Sequence, residues 1–188
     1  MENKTAKNLY EWIRVLVPAV VTVVLVFTLG IREVSVSGES MRETLQDGDR
    51  LLVLNGLWCG DYRPGDIVIV GGALREKEMI VKRVIATEGQ TVDIDFDQGI
   101  VYVDGAVLDE PYIREATHLQ EGTEFPLTVP EDCVFVMGDN RNESQDSRDA
   151  ALGPVDIRRI VGRAATLVVP GRTAELDRRE WSRMGILN

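Results

Sequence analysis

Arg63-Pro64-Gly65-Asp66-Ile67-Val68-Ile69-Val70 opens on a turn and closes on an unbroken β-branched run. Proline fixes φ near −65° and glycine accepts positive φ, so Pro-Gly suits a corner, while Ile and Val pack well on a pleated surface. Runs of the same character occupy residues 50–54, 79–86, 91–96, 99–103, 133–137 and 160–169. Asp97-Gln98-Gly99 and Asp104-Gly105 read as tight turns between such strands. After residue 32 only the last dozen residues hint at helical spacing, with Leu176, Trp181, Met184 and Leu187 on one face. The pattern predicts a mainly β body, a barrel or sandwich.

Toward the amino terminus the pattern changes. Residues 15–31, VLVPAVVTVVLVFTLGI, carry no charge and are closed by Arg32. A bilayer core of about 30 Å needs roughly 20 residues and tolerates about 17, and Trp12 and Ile13 extend the run at the interface. Lipid admits only helices or closed barrels, so a lone run of this kind reads as a single transmembrane helix. Pro18 falls in the first turn of that span, where its missing N–H costs little. No A-x-A-like pattern follows the run, which argues against a cleaved leader. Lys4, Lys7 and Arg14 precede it, and basic residues stay cytoplasmic. The expected organisation is a cytoplasmic segment 1–14, an anchor 15–31 and an extracytoplasmic β-rich domain 32–188, giving a single-pass protein of the cell membrane in contact with the lipid bilayer.

Composition narrows the chemistry. A net charge of −10 and a pI near 4.7 exclude a nucleic-acid binder, which needs a basic face for phosphate. Cys59 and Cys133 lie far apart without CxxC or zinc spacing, so no metal site is expected, and free thiols are favoured over a single disulfide.

Just past the anchor, Val36-Ser37-Gly38-Glu39-Ser40-Met41-Arg42-Glu43-Thr44-Leu45 isolates one serine between a glycine and a methionine. A serine hydroxyl is a weak nucleophile unless a base takes its proton, so Ser40 requires a partner downstream. The sole histidine, His118, sits in a polar stretch that reads as a surface loop, which disfavours a Ser-His-Asp triad. Lys82 lies in the apolar run Met79-Ile80-Val81-Lys82-Arg83-Val84-Ile85. To be neutral at pH 7 a lysine needs a downward shift of roughly 3 units, which burial in apolar surroundings can supply. Spacing alone does not choose between a base and a strand lysine reaching out to solvent.

Ser40-Met41 with Thr44-Leu45, the strand Lys82-Arg83-Val84-Ile85, and Gly138-Asp139-Asn140-Arg141-Asn142-Glu143-Ser144-Gln145-Asp146-Ser147-Arg148 resemble, in order, the boxes of bacterial type I signal peptidases. The third box, GDNR-x-x-S-x-DSR, is the most specific. The single amino-terminal span resembles the compact Gram-positive form. The resemblance implies a serine endopeptidase without metal or organic cofactor, with Ser40 as nucleophile and Lys82 as general base. It implies that Ser144 orients the lysine and that Asp139, Asn140, Arg141, Asp146, Ser147 and Arg148 support the site. Gly38 stands where Gram-negative members carry an oxyanion-binding serine, so it would contribute through its backbone or serve only as a bend.

Its partners would be secretory preproteins, cut after small residues. An extended peptide added to a sheet edge sends alternate side chains to one wall, and Val36, Met41, Leu45 and Val81 would line shallow apolar pockets there. One departure is Glu43 where the family carries proline; it removes a rigid φ and adds a charge, so Glu43 is expected to face solvent. Two alternatives share the residues. A self-cleaving repressor would need an amino-terminal DNA-binding domain that residues 1–35 do not provide. A specialised or inactive membrane-anchored homologue, acting on or binding one exported or pilus-type substrate, would account for Glu43.

Overall fold

The computed structural model describes residues 4–72, 79–172 and 178–187. Helix α1 spans Lys4–Leu29. It therefore starts well before the uncharged run, and Pro18 lies in its interior rather than in its first turn. A proline there removes one backbone hydrogen bond, a loss that membrane helices tolerate. The stretch Asn8–Phe27 is long and apolar enough to cross a membrane, and none of it is buried among the described residues. Ile31, counted above with the anchor, is instead the first residue of β1, Ile31–Ser35.

The remaining strands in chain order are β2 Arg50–Asn55, β3 Ile67–Gly71, β4 Met79–Thr87, β5 Thr91–Asp95, β6 Ile100–Val103, β7 Ala106–Val107, β8 Leu127–Thr128, β9 Cys133–Met137, β10 Val155–Asp156, β11 Ile160–Val169 and β12 Gly185–Ile186. A one-turn helix α2, Gly56–Cys59, follows β2. Two antiparallel sheets result. The larger runs β1-β2-β11-β3-β4-β9-β10 with β12 added to β11, and the smaller runs β7-β6-β5-β8. Asp104 and Gly105, with φ of 53° and 77°, make the tight β6–β7 turn that the sequence signals.

Strand β4 ties the molecule together. Its Val81 joins a core cluster with Val36, Met41, Leu45, Leu51, Val53 and Ile69. Val84 joins a second with Val68, Val136 and Val155. Ile85 and Ala86 join a third with Val92, Ile94, Val101 and Phe135, which packs the smaller sheet onto the larger. The last dozen residues form no helix among the described residues: a 3-10 turn at Trp181–Arg183 leads into β12, while Leu176 lies outside the described residues.

Candidate active site

The site forms where the β4–β9 ladder ends. Pairing runs from Arg83↔Met137 to Thr87↔Val134. Extending that register by one residue brings Gly138 opposite Lys82. A Cβ on Gly138 would collide with Ser144 Oγ and with the Ser40 carbonyl, so only glycine lets these two segments close over the strand. Asn140 then clamps the Ser40 turn, its backbone N–H donating to Ser40 O at 3.0 Å and its Nδ2 to Glu39 O at 3.1 Å.

Within this frame Lys82 Nζ lies 2.7 Å from Ser40 Oγ. Lys82 is only 2% exposed, and among the described residues Ser40 is the one hydrogen-bond partner of its ammonium group. Burial away from water is the main force on its ammonium group and brings the pKa down to about 8; Asp146 opposes this most, Arg148 reinforces it, and Asp139 and Glu121 oppose it. Ser40 itself is half-buried, and its backbone N–H has no partner among the described residues. A neutral lysine in contact with a serine whose own N–H is free can take the hydroxyl proton while that N–H meets a developing oxyanion.

Two buried ion pairs hold the pair in place. Asp146 accepts from Ser144 Oγ at 2.8 Å, from Gly138 N at 2.9 Å and from Arg148 Nε and Nη2 at 2.8 and 2.9 Å. Arg148 also donates to the carbonyls of Arg141 and Leu119. Ser144 thus gives its proton to Asp146 and keeps only its oxygen as an acceptor. Asp139 takes a two-pronged contact from Arg83, Nε to Oδ1 at 2.9 Å and Nη2 to Oδ2 at 2.8 Å, and a bond from Thr44 Oγ1 at 2.5 Å. Arg141 pairs with Glu110 and bonds Thr117 Oγ1 at 2.9 Å, and Ser147 Oγ accepts from Val136 N at 3.0 Å. All six supporting residues named from the third box are buried.

Arg83 received no role from the sequence. A fully buried arginine requires a buried carboxylate, and one standing inside an apolar strand is the signal that could have flagged it. Its guanidinium also lies 4.0 Å from the Tyr112 ring centroid.

Other expectations fare differently. Gly38 has φ of +94° and its N–H donates to Asp47 Oδ1 at 2.9 Å, so its backbone is committed and it acts as a bend. Val36, Met41, Leu45 and Val81 do come together, but inside the core rather than on an open wall, with at most 9% exposure at Val81. Glu43 is exposed, as expected, and is not among the charges acting on Lys82. His118 is exposed in a loop, and both cysteines are free and half-buried.

Comparison with known proteins gives a consistent set of relatives. The family model described as signal peptidase, peptidase S26, matches residues 9–169. The chain is 37% identical to a signal peptidase I of Bacillus licheniformis, over 90% of this chain and 94% of that one. It is 38% identical to signal peptidase I T of Bacillus subtilis, over 89% and 91%. A crystal structure of a signal peptidase I from Enterococcus faecalis aligns with a TM-score of 0.46 and 30% identity, covering 55% of this chain and 96% of that one.

Proposed function

The chain belongs to the signal peptidase family, peptidase S26, and from that premise we propose that it removes signal peptides from exported preproteins with Ser40 as nucleophile and Lys82 as general base. The observation that carries the mechanism is the 2.7 Å contact between Lys82 Nζ and Ser40 Oγ in a buried setting. Neutral Lys82 takes the Ser40 proton as Oγ attacks the carbonyl of the residue before the cut. The Ser40 N–H stabilises the tetrahedral oxyanion, a contribution worth roughly 3 kcal/mol in comparable sites. Lys82 then protonates the departing amine, leaving an acyl-enzyme, and next takes a proton from the water that hydrolyses it.

The substrate reading rests on strand β4. Among the described residues, 79–82 pair with β3 alone, since β9 begins pairing at Arg83. This edge suits an extended peptide whose alternate side chains face the same way, and the cut after small residues one and three positions before it is carried by the family resemblance rather than by a pocket wall. The apolar helix α1 anchors the enzyme in the cell membrane, with its basic amino-terminal flank cytoplasmic and residues from β1 onward outside.

The test is cleavage of a preprotein with an Ala-x-Ala junction in detergent by wild type, Ser40→Ala and Lys82→Ala. Wild type is expected to cut after the second alanine and both variants to be silent. Because the neutral lysine is the active form, kcat/KM should climb about tenfold per pH unit below pH 8 and level off above it. Cleavage surviving in Lys82→Ala would show that another group is the base.

A further inference from the structure

Arg148 has a second carboxylate beside it that the reaction above does not use. Glu121 Oε2 lies 3.8 Å from Arg148 Nη2, and Glu121 is 18% exposed. That oxygen is shielded from solvent and accepts no hydrogen bond among the described residues. Its position is fixed by backbone: Thr123 N donates to Arg148 O at 3.0 Å, Ala150 N to Glu121 O at 3.3 Å, Gly122 bridges to Asp149, and Arg148 Nη1 donates to Leu119 O at 3.1 Å. Residues 119–123 are thereby laced along residues 147–150. A buried carboxylate oxygen without a donor is unfavourable and persists only where nearby cations compensate.

We propose that Glu121 is a positioning residue for the Ser40–Lys82 pair: it shares Arg148 with Asp146 and sets how tightly Lys82 holds its proton. This rests on Lys82 being the base. The charged groups around Lys82 are Asp146, Arg148, Asp139 and Glu121. Those around Glu121 are Asp146, Arg148, Asp149 and Lys82; burial pushes its carboxyl up, Asp146 adds to that, and the two cations pull it down. Arg148 repels the Lys82 proton, Asp146 cancels part of that repulsion, and Glu121 cancels more. Removing Glu121 makes Lys82 a weaker base that is neutral in a larger share of molecules. The consequence for rate has two parts of opposite sign, more active enzyme at neutral pH and a lower plateau at high pH.

The experiment is the pH dependence of kcat/KM from pH 6 to 10 for wild type, Glu121→Gln and Glu121→Asp. Glu121→Gln should move the rising limb down by roughly half a unit, a gain at pH 7 of less than about threefold because the plateau falls as well, while Glu121→Asp, which keeps the charge, stays with wild type. A purely structural role would lower the whole profile without moving the limb, and that result, or a limb displaced upward, overturns the proposal. Coupling between two sites is reciprocal, so the Glu121 carboxyl, followed by carbon NMR, should titrate about half a unit higher in Lys82→Ala than in wild type. That measurement decides the matter even if Glu121→Gln fails to fold, and an unchanged Glu121 titration overturns the proposal. Should Lys82→Ala still cleave, the base assignment fails instead, and the carboxyl titration reports separately on the coupling.

Discussion

Glu43 has φ of +88° in the turn that follows the nucleophile. A left-handed backbone costs a residue with a side chain roughly 1–2 kcal/mol, and it persists here because both ends of the turn are tied down. Thr44 N and Leu45 N donate to Met41 O, and Thr44 Oγ1 reaches Asp139. Proline, the residue that the sequence resemblance would place at this position, cannot adopt that φ. Glu43→Pro is therefore expected to destabilise the protein by about 2 kcal/mol or more and to slow cleavage, whereas Glu43→Gly should be neutral or slightly stabilising; urea denaturation of both variants checks this. Glutamate here sits at positive φ, and its side chain is exposed to solvent. At the same scale, Ser40 stood out by its place just past the anchor, and the third box was legible only through its resemblance to a known family pattern. Lys82 was ambiguous on local sequence, since a strand lysine and a base have the same letter and the same neighbours; its burial removes the reading in which it reaches out to solvent.

Among the elements, β2, β3, β4, β9 and β11 were readable from the sequence because each is dominated by aliphatic residues, buried along most of β3, β4 and β9 and mainly at alternate positions in β11. Strand β1 was not, since Arg32, Glu33 and Ser35 are exposed at the sheet edge and interrupt any such run. The two-residue strands are too short to carry a period. The carboxy-terminal segment shows the same limit: its apparent helical spacing gives way to pairing of Thr166 with Ile186 and Leu167 with Gly185 on β11. That placement delivers Arg183 to Asp49, Nη1 to Oδ1 at 3.1 Å and Nη2 to Oδ2 at 2.7 Å, while Asp49 also holds Gln46 N and Gly171 N. Asp49 is fully buried, and Arg183 Nη2 extends to Thr44 O at 3.4 Å. Arg183→Ala should cost about 2 kcal/mol in denaturant unfolding and reduce kcat, because the lost contacts brace the nucleophile turn from below.

For the whole molecule, the anchor and the site are joined by a short path. Ser40 is eleven steps along the chain from Leu29, and a chain covers at most about 3.6 Å per residue, so Ser40 stays within roughly 40 Å of the end of α1. Holding enzyme and substrate in one membrane raises their effective concentration. A protein lacking residues 1–29 should cut a short soluble peptide as fast as the full chain does. On a preprotein embedded in vesicles it should be at least about tenfold slower, which a paired assay of the two substrates would reveal. The site itself is gathered from far along the chain: Lys82 lies 42 residues from Ser40, and Asp139 lies 95 from Thr44. During synthesis Ser40 emerges well before Gly138, Ser144 and Arg148. On the proposed mechanism the Gly138 closure would then also act as a clock, because a growing chain that has not yet folded this segment over Ser40 and Lys82 would hold the reacting pair without the frame that brings them together.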